Sequence, residues 1–132
     1  MQTKKIWEIA LERNAVFNAW VSSDTVIAPA ASMDIKPVVG GHYRLFMEAG
    51  SDAPSNEGKF LEIDRNELVK YTWNWVGSDE VTTITVRFLA ADNGGTRIEL
   101  LHEGFLTLES RDMHDAGWDS YFTGLKQYLL SK

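Results

Sequence analysis

A chain of 132 residues with 44% apolar and 24% charged side chains has the length and composition of one globular domain, residues 1–132, and is too apolar for wholesale disorder. Nineteen acidic against thirteen basic residues give a net charge of −6, which argues against a nucleic-acid partner, and the absence of cysteine excludes disulfides, thiolate metal sites and cysteine nucleophiles. No apolar h-region follows Lys4 and Lys5, and no apolar run approaches the roughly eighteen residues of a membrane span, so a soluble cytoplasmic protein without membrane insertion is expected.

Residues 5–11 read as a strand, with Trp7, Ile9 and Leu11 on one face. Asn14 is placed to cap a short helix reaching Trp20, and Ser23-Asp24 to cap a second, shorter one that must stop before Pro29. From about residue 32 the hydrophobic period becomes two. Residues 33–36 and 42–47 form short strands divided by Pro37 and a Gly40-Gly41 turn, and 48–56 is a polar loop. Residues 59–64 and 68–76 make a hairpin through Arg65-Asn66-Glu67; 81–89 and 96–103 follow, joined by Asp92-Asn93-Gly94-Gly95. Connections this short demand antiparallel pairing, because parallel neighbours need crossovers of about a dozen residues. From about Asp112 the spacing turns helical, with Trp118, Phe122, Leu125 and Leu129 on one face. About nineteen residues give a rod of about 28 Å, long enough to lie across a sheet. Gly117 and Gly124 within it read as points where helix and sheet approach closely.

The predicted fold class is therefore α+β: a curved seven-stranded antiparallel sheet around a long C-terminal helix, with two short helices after strand 1. Facing the helix are expected Tyr43, Leu45 and Met47; Leu61 and Ile63; Val69, Tyr71, Trp73 and Trp75; Ile84, Val86 and Phe88; and Ile98, Leu100 and His102. A long twisted sheet curves, and curvature leaves a wedge between sheet and helix.

Little in the chain points to catalysis. The histidines, His42, His102 and His114, form no HExxH and no cluster at metal-ligand spacing, and no Gly-x-Ser-x-Gly elbow supports a serine nucleophile. Neither Gly40-Gly41 nor Gly94-Gly95 opens a helix after a strand, so neither is a phosphate loop. His102 points inward at the end of the last strand. It reads either as a structural imidazole, the reading favoured, or as a polar anchor or general base for a ligand. His114, beside Asp112 and Asp115, reads as a solvated or packing residue. No metal, cofactor or catalytic residue is expected.

Aromatic content is above background: Trp, Tyr and Phe number fifteen, five of them Trp. Tyr71, Trp73 and Trp75 on one strand face lie opposite Trp118, Tyr121 and Phe122 on the helix. They form either a filled aromatic core or the walls of a lumen.

The stretch Val16-Phe17-Asn18-Ala19-Trp20-Val21-Ser22-Ser23-Asp24 resembles the first helix and turn of the activator-of-Hsp90-ATPase-homologue family, part of the START-like, Bet v 1-like superfamily. Gly40-Gly41-His42-Tyr43-Arg44 is similar to its double-glycine lead into a strand. Gly58-Lys59-Phe60-Leu61-Glu62-Ile63-Asp64, followed by Leu68-Val69-Lys70-Tyr71-Thr72-Trp73, is similar to its central hairpin. Gly95-Thr96-Arg97-Ile98-Glu99-Leu100-Leu101-His102 and His114-Asp115-Ala116-Gly117-Trp118 match its last strand and helix opening. The resemblance implies a helix-grip architecture, and relatives that commonly enclose a cavity. The sequence departs from the family in two places, both expected near a pocket mouth. No tryptophan occurs in residues 25–30, and the compact Pro-Gly-Gly is opened to Pro37-Val38-Val39-Gly40-Gly41.

With the resemblance, the lumen becomes the leading reading: a small-molecule-binding module holding an apolar or aromatic ligand or lipid. The candidate ligand-binding residues are Tyr71, Trp73, Trp75, Phe88, His102, Trp118, Tyr121 and Phe122. The Tyr71 hydroxyl and His102 are the expected polar groups. The alternatives are an interaction module for an Hsp90-type chaperone and, third, a cyclase- or hydrolase-like enzyme using His102.

Overall fold

The computed structural model describes residues 1–131. Seven strands, β1 (Gln2–Ile9), β2 (Ser32–Ile35), β3 (His42–Phe46), β4 (Asn56–Asp64), β5 (Leu68–Trp75), β6 (Val81–Ala90) and β7 (Thr96–Glu103), form one sheet in the order β1-β7-β6-β5-β4-β3-β2. Every neighbouring pair is antiparallel. One short helix, α1 (Arg13–Trp20), follows β1, and the long α2 (Leu108–Leu130) closes the chain. This is the expected α+β helix-grip fold.

Strict alternation in β6 and β7 sets the register. Ile84 faces His102, Val86 faces Leu100 and Phe88 faces Ile98, and all six side chains are buried on the concave face. A one-residue slip would turn this whole set to solvent, at about 1.5–3 kcal/mol for each large apolar side chain. Helix α1 plugs one end of the concavity, with Phe17 and Trp20 edge-on to Phe88 at 5.5 and 6.0 Å between ring centroids.

Several local features differ from the sequence reading. β1 spans Gln2–Ile9 rather than 5–11, since it pairs along β7 from Glu103 to Thr96. α1 begins two residues early, with Glu12 at the cap position making no side-chain cap bond, so Asn14 lies inside the helix. The second short helix does not form. Residues 22–31 run as turns, and the Ser23 hydroxyl accepts from the Ile35 N–H at 2.9 Å, tying this segment to β2 instead of capping a helix. β4 starts at Asn56, three residues before the expected start. A register shift between Phe60 and Glu62 turns Phe60 inward, buried to 1% exposure, and leaves Leu61 on the outside at 45%. Ile63 keeps its expected inward packing because the extra residue restores the phase.

α2 is 23 residues long, about 34 Å, because its start lies at Leu108 rather than near Asp112. The Thr107 hydroxyl accepts from the Ser110 N–H at 3.1 Å, supplying the cap. The Glu80 carboxylate accepts from the Leu106 N–H (2.8 Å) and the Ser110 hydroxyl (2.6 Å), fastening the β5–β6 hairpin to this helix start. The glycines also differ from expectation. A Cβ at Gly117 would meet nothing within 4 Å, whereas one at Gly124 would lie 2.4 Å from Ile27 Cγ2. Close approach therefore occurs at Gly124 alone, and against residues 22–31 rather than the sheet.

Candidate functional site

α2 is moored to one side of the concave sheet. Lys5 on β1 reaches Asp115 and Asp119 at 3.1 and 2.9 Å, Thr3 donates to Asp115, and Trp7 stacks on Phe122 at 4.7 Å with 5° between planes. The two carboxylates hold the Lys5 ammonium pKa above its usual range against the opposing effect of burial. With the helix drawn toward β1, the other half of the sheet is left uncovered. The space between α2 and strands β3 to β5 is a cavity of about 360 Å³. Ile27, Ala28, Pro29 and Ala30 form one rim, and Met113, Gly117 and Ser120 of α2 form another.

Of the eight side chains singled out in the sequence, Tyr71, Trp73, Trp75, His102, Trp118 and Tyr121 line this cavity. Phe88 lies instead beneath α1 and Phe122 lies on Trp7, on the moored flank of the helix. The wall also takes Tyr43 and Leu45 from β3, Met47 just past its end, and Met33 from β2. Tyr43, Leu45 and Met47 face the helix as their alternation predicts, although they are not among the candidate ligand-binding residues. The rim of residues 27–30 has no periodicity to reveal it.

His102 is fully buried, and its hydrogen bonds define its chemical state. The Trp118 indole N–H can only donate, and it lies 3.0 Å from His102 Nδ1, so Nδ1 accepts. Nε2 therefore carries the proton and donates to the Thr82 hydroxyl at 2.7 Å; that hydroxyl in turn donates to the Trp73 carbonyl at 3.0 Å. Burial, aided by the neighbouring His114, pushes the His102 pKa down to about 3. The imidazole is thus structural, held by side-chain partners. A general base needs a free acceptor nitrogen, and His102 has none.

His114 repeats the arrangement. Its Nε2 accepts from the Trp75 indole at 3.0 Å and its Nδ1–H donates to the Ser110 carbonyl at 2.7 Å, so it is buried rather than solvated. Two tryptophans of the wall are thereby held by two neutral histidines. The Tyr71 oxygen accepts from Trp20 Nε1 at 3.2 Å. Burial raises the pKa of Tyr71, against hydrogen bonds from Trp20 and Tyr43; burial also raises those of Tyr43 and Tyr121, so all three rings stay uncharged. Trp20 stacks on Trp118 at 5.9 Å and meets Tyr121 edge-on at 5.1 Å, linking α1 to α2 behind the cavity. His42 lies outside the site, 3.0 Å from Asp34. Among the described residues no three His, Asp or Glu side chains converge as metal ligands, and no helix is long and apolar enough to cross a membrane.

Fold and cavity together define a helix-grip protein with a space between sheet and C-terminal helix. Residues 10–130 match the family described as activator of Hsp90 ATPase homolog 1-like protein, and the chain belongs to that family. Among solved structures it resembles an HSP90 activator from Plasmodium falciparum, at 20% identity, TM-score 0.82, and coverage of 99% of this chain and 96% of that one. A protein from Mesorhizobium loti is similar at 19% identity and TM-score 0.82, covering 99% and 97% of the two chains. The Aha1 dimer from Colwellia psychrerythraea follows at 16% identity and TM-score 0.77, covering 98% and 96%. No curated protein sequence matches the chain.

Proposed function

We propose that this protein is a cytoplasmic small-molecule-binding module that holds an apolar or aromatic ligand between the sheet and α2. The observation that carries the reading is the cavity wall. A space of about 360 Å³ falls at the small end of the usual range for ligand sites, roughly 300–1,000 Å³. Its surface is mostly ring faces, three methionine side chains and aliphatic carbons, with Ser120 at the rim. The Trp75 and Trp118 indole nitrogens and both imidazoles are engaged within the protein, so they orient the rings rather than compete for a ligand. Such a surface favours ligands that leave water for hydrophobic reasons. Trp73, Trp75 and Trp118 all border the space, so tryptophan emission reports on it directly. Titration with apolar aromatic probes and lipids should give a saturable emission change; the absence of any saturable change across both sets would refute the reading.

A second reading, association with an Hsp90-type chaperone, is favoured by the family and by the similarity to a structure described as an HSP90 activator. Pull-down with the chaperone and an assay of its ATPase test it, and failure in both removes it. An enzymatic reading through His102 is disfavoured by the engaged state of both ring nitrogens.

A further inference from the structure

Asn56 is fully buried, at 0% exposure, and neither its Oδ1 nor its Nδ2 has a hydrogen-bond partner. A primary amide in this state has given up its hydration at both ends with nothing in the protein to offset the loss. Its position says what could meet it. Asn56 opens β4, and the residues directly opposite it, Leu45 on β3 and Trp75 on β5, both line the cavity. Directly opposed residues of antiparallel strands share a face, so the three form one row across the concave face with the amide in its middle. One row along, Gly58 stands opposite Tyr43 and contributes no side chain, and the Tyr43 and Trp73 rings meet edge-on at 6.0 Å. The amide thus lies in one row with two side chains that wall the cavity. Trp75 is held by its bond to His114, so a rotation of the half-buried Leu45 side chain would open the amide to the space.

We propose that Asn56 is the polar anchor of the cavity, and that the ligand is an apolar or aromatic body ending in a neutral carboxamide or lactam. Nδ2–H would donate to the ligand carbonyl and Oδ1 would accept the ligand N–H, satisfying both ends of the amide at once. Neutrality follows from the surroundings. No Lys, Arg, Asp or Glu is among the described residues that line the cavity, and its two histidines are held as neutral tautomers. A carboxylate or ammonium would be buried there without a counter-charge. This inference rests on the ligand-binding reading and specifies the ligand's class.

The test uses a matched pair of probes, naphthalene-2-carboxamide and its apolar isostere 2-isopropylnaphthalene, titrated into the wild-type protein and into Asn56→Leu. The variant should bind the carboxamide about tenfold more weakly and the hydrocarbon within about twofold of wild type. Its urea midpoint without ligand should rise, because an unpartnered amide has been removed. Asn56→Ala, which removes both the donor and the acceptor, should show the same selective loss and serves if the leucine variant does not fold. Hydrocarbon binding with carboxamide affinity unchanged in both variants would overturn the anchor while leaving the cavity reading intact. A wild-type protein that binds neither probe would overturn both.

Discussion

The Trp118 indole N–H donates to His102 Nδ1 at 3.0 Å, so a ring of α2 that borders the cavity is bonded to an imidazole buried on β7. Because the opposite nitrogen of that imidazole is bonded to Thr82 at 2.7 Å, the contact also decides which nitrogen carries the proton. The cavity wall and the interior thus share one hydrogen-bonded chain, and disturbing any member should be felt at both.

The first consequence is a pH dependence. His102 in the folded protein has its pKa pushed down to about 3, against about 6.5 when unfolded. Between those values the unfolded chain binds a proton that the native protein refuses, so the contribution is fully present above pH 6.5 and is lost as pH falls toward 3. From pH 6.5 to 5 wild-type stability should drop by about 2 kcal/mol from this group. Urea unfolding at the two pH values measures it. His102→Gln should lack that drop, and an equal drop in the variant would assign it elsewhere.

Trp118→Phe keeps a ring against Trp20 but removes the indole N–H, leaving His102 Nδ1 buried without a donor. The expected loss is about 1–3 kcal/mol in chemical denaturation at pH 7.5. A variant as stable as wild type would mean that the bond contributes nothing in solution.

The two glycines of α2 should respond in opposite directions. Gly117→Ala adds a methyl where nothing lies within 4 Å, so it should stabilise by up to about 1 kcal/mol through helix propensity. Gly124→Ala places its methyl 2.4 Å from Ile27 Cγ2, on a stiff β-branched side chain, and should destabilise. Thermal melts of both variants, and of Gly124→Ala in an Ile27→Ala background where the clash is relieved, would establish the sign of each.

Strands with clean alternation, such as β6 and β7, were legible from their residues, as were the helical spacing of α2 and the antiparallel order. What was not legible depends on contacts made at a distance. Ser23-Asp24 looks like a helix cap, yet the Ser23 hydroxyl serves the β2 backbone. Leu61 follows the period that would turn it inward, and only the bulge opposite β5 reverses it. For the site, aromatic alternation pointed to six wall residues, whereas Phe88 and Phe122 share the same periodic signal but are claimed by α1 and Trp7. The placement of the cavity depends on α2 being drawn toward β1 by Lys5, a tertiary fact without a local signature.

The most direct measurement of the central claim compares wild type with a variant whose cavity is narrowed. Gly117 lines the space with nothing within 4 Å of a Cβ placed there, so Gly117→Leu extends an apolar side chain at the rim on an otherwise intact fold, to be verified by circular dichroism. Titration of 2-isopropylnaphthalene, followed by tryptophan emission, should give a single saturable site in wild type and binding weakened at least about tenfold in folded Gly117→Leu. No saturable binding by wild type, or equal binding by both proteins, would contradict a ligand site between the sheet and α2.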